Sequence, residues 1–317
     1  MIFLWLFLYK KNIFFFHTIS YLIEMEIVRI YLSFLVIISL LNFTCVAEVP
    51  GVYFDRIITY VLGSTDYEDA IKDPYLSYLS KQGILLKHIH GIWHPSQPNY
   101  IAMICASKSG MLTDFSQDLG GPSLPESLEE KGITWKAYIE NYPGDGFKAD
   151  VSEDKLYVRK HNPFISMNNI RNNLTLVSKI VNSSQLKHDL KKNQVPQYIF
   201  YVPNINNNGE NTNLTYASNY LKNEFIPSIQ HLLTSTKTLL VVTFDEASTY
   251  LDFNLADFNH VYTALIGPNV LKSFIHEDET RYSHFSWVPT IEANWNLSSF
   301  GNGVDTDVVP LDFNILM

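Results

Sequence analysis

Five short apolar runs constrain this chain more than anything else in its sequence: Ile57–Leu62, Trp135–Ile139, Tyr198–Val202, Thr238–Phe244 and Val261–Ile266. They are nearly continuously apolar and bounded by Gly, Asn or Asp. Strands with one wet face alternate polar and apolar residues; strands without that alternation are covered on both faces. Helical candidates lie between them at 68–81, 99–106, 124–131, 184–192 and 214–233, the last broken near Pro227. This alternation predicts an α/β fold, with a mainly parallel central sheet and helices on both faces. No internal repeat is present, and no linker is long enough to divide two domains. The Asn-rich stretch Asn204–Asn213 spans ten residues, a loop rather than a tail.

Residues 1–47 read differently. Met1–Phe16 is apolar and aromatic, interrupted by Lys10 and Lys11. A second pattern starts at Met25, with Arg29, the apolar run Ile30–Leu41, and Cys45-Val46-Ala47 placing compact residues before a cleavage point. That is the layout of a secretory signal ending at Ala47, and its apolar run is short for a membrane span. The expected organisation is therefore a signal at 25–47, an upstream extension at 1–24, and a single domain at 48–317. A signal anchor built from both apolar runs is the alternative. Passage through the secretory pathway would place the protein outside the cell, in the cell wall or in a vacuole, with no stable membrane partner after cleavage. Asn173, Asn182, Asn213 and Asn296 each open an N-x-S/T sequon and are candidate glycosylation sites.

With 46% hydrophobic and 17% charged residues, the chain is neither disordered nor fibrous. Its net charge is −9, and −10 once two glutamates, two lysines and one arginine leave with residues 1–47. No Lys/Arg run stands out, which argues against nucleic acid as a partner. The acidic balance disfavours polyanions as partners and leaves small substrates open. Two cysteines exclude a disulfide scaffold; Cys105, in the apolar stretch IAMICAS, reads as a buried small hydrophobe.

Polar residues cluster just after the strands: Gly63-Ser64, the loop from Asn204, and Asp245-Glu246. Open α/β sheets bind ligands beyond the carboxyl ends of their strands. The segment His94-Pro95-Ser96-Gln97-Pro98-Asn99 precedes an apolar helical run. It can be read simply as a capped helix start, with Pro98 in the first turn. The same geometry would favour an anion there, hold a Ser96 hydroxyl for nucleophilic attack, and let Asn99 stabilise developing charge. Adjacent carboxylates Asp245 and Glu246 at a buried strand end repel each other, a strain that a divalent cation would offset. His284 and His161 are candidate metal or phosphate contacts, or ordinary buried histidines. His88, His90 and His94 match no standard ligand spacing and read as structural.

The series HPSQPNYIA, ITWKAYIENYPG, RKHNPF, PQYIFYVPN, TFDEAS and YSHFSWVPTIEANW, in that order from about Phe54 to Leu297, resembles the phosphoesterase family of fungal secreted acid phosphatases and bacterial phospholipase C-type enzymes. The resemblance implies an alkaline-phosphatase-like fold and a metal-assisted site. It also implies phosphate ester hydrolysis through a covalent intermediate, with Ser96 as nucleophile, Asn99 as charge stabiliser, and Asp245, Glu246 and His284 where the family has metal or phosphate contacts. His161, in RKHNPF, is the expected substrate contact.

The chain departs from that pattern at specific points. Where the family reads Glu-Asn-Thr after the first strand, this chain has Gly63-Ser64-Thr65. Where it reads Asn-Asp-Gly-His-Asp-Thr, this chain has Asn207-Asn208-Gly209-Glu210-Asn211-Thr212. A divalent ion of unknown identity held by Asn208, Glu210, Asp245 and Glu246 is chemically possible, though carboxylate ligands are lost at 63 and 208, and a site without metal is the other expectation. Three functions follow: a monoesterase with a degenerate metal site, a secreted pseudoenzyme that binds a phosphorylated ligand without turnover, and a phospholipase C-type phosphodiesterase.

Overall fold

The computed structural model describes residues 21–33, 48–250, 258–268, 270, 276–299 and 308–316. The chain divides into two units at the 47/48 boundary. In the first, residues 21–33 are helical and exposed; most of the expected signal, including Cys45 and the cleavage point, lies outside the described residues. No helix among the described residues is long and apolar enough to cross a membrane.

The second unit is built on one eight-stranded sheet. Its strands are β1 (Arg56–Leu62), β2 (Ile84–His90), β3 (Trp135–Ile139), β4 (Ile180–Asn182), β5 (Tyr198–Val202), β6 (Thr238–Phe244), β7 (His260–Ile266) and β8 (Glu277–Ser283). The order is β4-β3-β5-β1-β6-β7-β2-β8. All pairings are parallel except those of β7, which runs antiparallel to both β6 and β2. The principal helices are α1 (Pro74–Ser80), α2 (Ser96–Cys105), α3 (Leu124–Lys131), α4 (Gln185–Lys191), α5 (Leu214–Tyr220), α6 (Ile226–Ser235) and α7 (Trp287–Trp295). Every residue of β1, β5 and β6 is buried, so both faces of the sheet centre are covered, as their sequences require.

The five expected strands are present to within a residue. The three unread strands have physical reasons for their silence. β8 (EDETRYS) is a polar edge strand with two buried residues, β4 is only three residues long, and β2 carries Lys87 and two histidines. The expected helix 68–81 is split before Pro74, where Asp73 caps α1 by accepting from the amides of Tyr75 and Leu76. The expected long helix at 214–233 gives way earlier than Pro227, through a π-helical turn at Leu221–Phe225. Proline has no N–H for the preceding turn, and the wider turn absorbs that missing bond. Ser123 and Glu126 form a capping box on α3, and Gly132 ends it with φ 74°.

Helix α2 begins at Ser96, three residues before the expected start, and is buried along its whole length. It packs over the sheet centre, with Tyr100 near Phe200 of β5. Cys105, on the same helix, is free and buried, and burial pushes its thiol up to about 12. It behaves as the apolar residue expected.

Candidate active site

The turn between β2 and α2 carries Ser96 to the carboxyl edge of the sheet. Asn99 holds that turn together. Its Oδ1 accepts from the amides of Ile92 (2.7 Å) and Trp93 (3.2 Å), and its Nδ2 donates to the carbonyls of Trp93 (2.7 Å) and Pro95 (3.3 Å). Both amide protons are thus committed to the backbone, and none points at Ser96. Gln97 braces the other side, donating from Nε2 to the carbonyls of Thr113 and Phe115.

Between these braces the buried Ser96 hydroxyl donates to Glu246 Oε1 at 3.1 Å. The Ser64 hydroxyl donates to the same oxygen at 3.1 Å, and His94 Nδ1 lies 2.6 Å from Glu246 Oε2. His94 stacks on Tyr250 with ring centroids 4.3 Å apart. Beside Glu246, Asp245 is fully buried. Burial pushes its carboxyl well above the usual range, the Glu246 charge adds to the push, and a Ser96 hydrogen bond only partly opposes it. The repulsion expected between these neighbours is part of that upward push. His284 is buried and its Nε2 lies 2.7 Å from the Asp245 carbonyl oxygen, so it fixes the backbone at the end of β6.

A second group faces α2 from the β5 side. Gly63 donates its amide to the Asn208 carbonyl at 3.0 Å. A Cβ at 63 would meet the Asn208 carboxamide at 3.2–3.3 Å, so Asn208 fills the space a larger residue there would need. Asn208 Oδ1 accepts from the Glu210 amide, across a turn in which Gly209 has φ +100°. The Glu210 carboxylate receives Lys160 Nζ at 2.6 Å and lies 3.0 Å from His161 Nε2. Burial pushes the Glu210 carboxyl up, but His161 and Lys160 outweigh it and hold it at about 2. Lys160 also donates to Asp114 Oδ2 (3.1 Å), and Asp114 Oδ1 accepts the Gln97 amide at the start of α2 (2.9 Å). Contacts therefore close a ring: Ser96, Glu246, Ser64-Gly63, Asn208, Glu210, Lys160, Asp114, Gln97. His161 is held against it by stacking on Tyr100, centroids 4.9 Å apart.

The four expected metal donors do not assemble as one set. Both Glu246 oxygens are engaged with Ser96, Ser64 and His94, Glu210 is engaged with Lys160 and His161, and Asn208 Oδ1 is engaged with the Glu210 amide. Of these four residues Asp245 has a buried oxygen, Oδ2, without a hydrogen-bond partner, as do the ring atoms His94 Nε2 and His284 Nδ1 nearby. Among the described residues no three His, Cys, Asp or Glu side chains group as a metal site. The residues present do not fit the expected ion.

His94 was read as structural and instead touches the site carboxylate; its only sequence signal was its place at the head of HPSQPNY. Asp114 and Lys160 were not singled out, because their roles depend on contacts 17 and 50 residues away. Glu140 was also missed. It accepts from Tyr201, Tyr220, the Asn204 amide and Asn207 Nδ2, and so anchors the loop carrying Asn208 and Glu210. Asn211 is exposed and donates its amide to the Ile205 carbonyl.

The four sequons differ in access. Asn173, Asn213 and Asn296 are exposed, whereas Asn182 is half-buried and donates Nδ2, the atom a glycan would occupy, to the Tyr142 carbonyl at 3.1 Å. If the chain is secreted from a eukaryotic host, glycopeptide mass spectrometry is expected to find glycan at the first three and not at Asn182. High occupancy at Asn182 would contradict this.

Burial also depresses two histidines, His284 and His90, each to about 4; a hydrogen bond to Phe258 only partly rescues His90, which faces Arg281, His260 and His88. Their folded values lie below the unfolded one near 6.5. As pH falls from 6.5 toward 4 the unfolded chain takes protons that the folded chain refuses, so stability declines through that window and this contribution levels off below it. Each histidine contributes on the order of 3 kcal/mol to that loss. Urea midpoints measured from pH 7 to pH 4 are expected to fall more steeply in the parent than in His90→Asn; parallel slopes would refute the assignment for His90.

The mostly parallel eight-stranded sheet, with helices packed on it, makes this an α/β scaffold, the class expected from the sequence. A family profile described as the phosphoesterase family matches residues 61–298, and the chain belongs to that family. Its relatives include the acid phosphatase of Aspergillus fumigatus, 33% identical over 83% of this chain and 60% of that protein. Another is the phosphate-repressible acid phosphatase of Penicillium chrysogenum, 35% identical over 82% and 64% respectively. The chain thus spans about three fifths of the length of these relatives. Among solved structures, the phosphonate monoester hydrolase of Agrobacterium radiobacter aligns with a TM-score of 0.53, 10% identity, and coverage of 81% of this chain and 76% of that one. At that identity it speaks for the fold alone, and it agrees with the α/β class expected from the sequence.

Proposed function

We propose that this chain hydrolyses phosphate monoesters of small molecules through a seryl-phosphate intermediate on Ser96, in an acidic compartment reached by secretion. The observation that carries the reading is the buried Ser96 hydroxyl, donated to Glu246 at the start of α2. The fungal relatives named acid phosphatases support the substrate class.

Glu246 takes the Ser96 proton as Oγ attacks phosphorus. The ester P–O bond breaks, and Asp245, whose carboxyl burial pushes toward the protonated form, supplies a proton to the departing alcohol. Water then attacks the seryl phosphate, giving a proton to Asp245 while Glu246 returns its proton to Ser96 Oγ, so that the P–Oγ bond breaks, inorganic phosphate leaves and both carboxyl groups regain their starting states. His94 and Ser64 orient Glu246, His284 holds the Asp245 backbone, and Asn99 holds the turn behind Ser96. Lys160, with the His161 ring beside it on Glu210, is assigned to the phosphate oxygens.

The test is p-nitrophenyl phosphate hydrolysis by the secreted protein from pH 4 to 9. EDTA followed by Mg²⁺, Ca²⁺, Mn²⁺ or Zn²⁺ in turn reads whether a cation takes part. A second reading, a phosphate-ligand-binding pseudoenzyme, is favoured by the engagement of Glu210 with Lys160 and His161. Folded protein that turns over neither this ester nor bis-p-nitrophenyl phosphate would select it; turnover of the diester alone would select the phosphodiesterase reading.

A further inference from the structure

We infer that Glu210 is an internal occupant of the subsite that would hold a phosphate group, and that it sets how weakly this chain binds one. The inference rests on the phosphoesterase reading above.

Two features beside Ser96 suit an anion: Lys160 with the His161 ring next to it, and the backbone amide of Gln97 in the first turn of α2. Both are already filled by carboxylates of the chain itself. Glu210 spans Lys160 and His161, with Oε1 2.6 Å from Lys160 Nζ and Oε2 3.0 Å from His161 Nε2, in the two-pronged manner of a bound oxyanion. Asp114 takes the Gln97 amide at 2.9 Å and a share of the same ammonium at 3.1 Å.

Both carboxylates are tethered, although Glu210 reaches the surface. Glu210 is aimed by its own amide, which donates to the buried Asn208, and the loop behind it is clamped on Glu140. The His161 ring is buried and held by its stack on Tyr100. A phosphate must therefore displace a tethered carboxylate, whose effective concentration is set by the short turn that carries it. The Lys160 charge is offset twice before any ligand arrives. At position 210 a neutral side chain would return the Lys160 charge and the His161 ring to an incoming oxyanion.

The experiment is calorimetric titration of inorganic phosphate into the full secreted chain and its variants at pH 6 and low salt. Glu210→Gln is expected to bind phosphate at least about tenfold more tightly than the parent, since an opposing charge at contact distance is removed. Adding Lys160→Met to Glu210→Gln is expected to abolish the gain. Glu210→Ser serves as the second variant should Glu210→Gln fail to fold, folding being read by circular dichroism. Equal or weaker binding in a folded variant, or no phosphate binding in any of them, overturns the inference. Hydrolysis by the parent is read separately. Turnover without tightening sinks the inference alone, and tightening without turnover sinks the catalytic reading alone.

Discussion

Ser96→Ala is expected to lower phosphate monoester hydrolysis by at least about 10⁴-fold while leaving the fold intact, because removing an attacking nucleophile leaves only residual electrostatic and binding effects. The hydroxyl's hydrogen bond runs to Glu246 Oε1, which keeps a second donor in Ser64. Alanine also suits a first helical position. The substitution should therefore leave the thermal midpoint nearly unchanged. A control must separate chemistry from binding: inorganic phosphate affinity should change far less than kcat. If Ser96→Ala retains more than a few per cent of the parent rate, Ser96 is not the nucleophile. A seryl phosphate trapped at low pH and located by peptide mass spectrometry would establish the intermediate independently of the rate.

Asn99→Ala is expected to produce a different signature, a large loss of stability together with a loss of rate. A residue that only stabilised charge on the substrate would leave stability untouched. Here the Asn99 amide receives two backbone N–H groups and donates to two carbonyls, all in the turn that delivers Ser96. Alanine strands the amides of Ile92 and Trp93 in a partly buried setting. The expected cost is roughly 2–4 kcal/mol, or about 5–15 °C in the thermal midpoint at the usual scaling. Differential scanning calorimetry alongside kinetics decides the matter. A normal midpoint with a reduced kcat would restore Asn99 to the charge-stabilising role the motif suggested.

Much of the architecture was legible because it depends on local composition. The runs RIITYVL, YIFYV and TLLVVTF are apolar on both faces, and such segments are stable only at the covered centre of a sheet, where all three lie side by side. The placing of polar residues at the ends of those strands was equally readable, and it put Gly63-Ser64, Asn208 and Asp245-Glu246 at one edge before any contact was known. β8 was not legible, because an edge strand with five partly or fully exposed residues has no apolar signature. Nor was the break in the helix before Pro227, where the position of a π-helical turn depends on how the segment packs.

The roles of the site residues divide the same way. HPSQPNY by itself determined that a serine would sit near a helix start, because proline and a polar flank favour that local geometry. TFDE determined that two carboxylates would share a buried strand end. Whom those residues meet was decided only by the tertiary structure. His94 reaches Glu246 across 152 residues, Lys160 reaches Glu210 across 50, and Gln97 reaches Asp114 across 17. Sequence spacing carries no record of such distances. The fate of each charge follows from its partners. Burial and the neighbouring Glu246 push the Asp245 carboxyl up, while at Glu210 the upward push of desolvation is outweighed by the contacts with His161 and Lys160. A carboxylate's protonation is set by the balance of desolvation against neighbouring charge, and that balance exists only once the chain has folded.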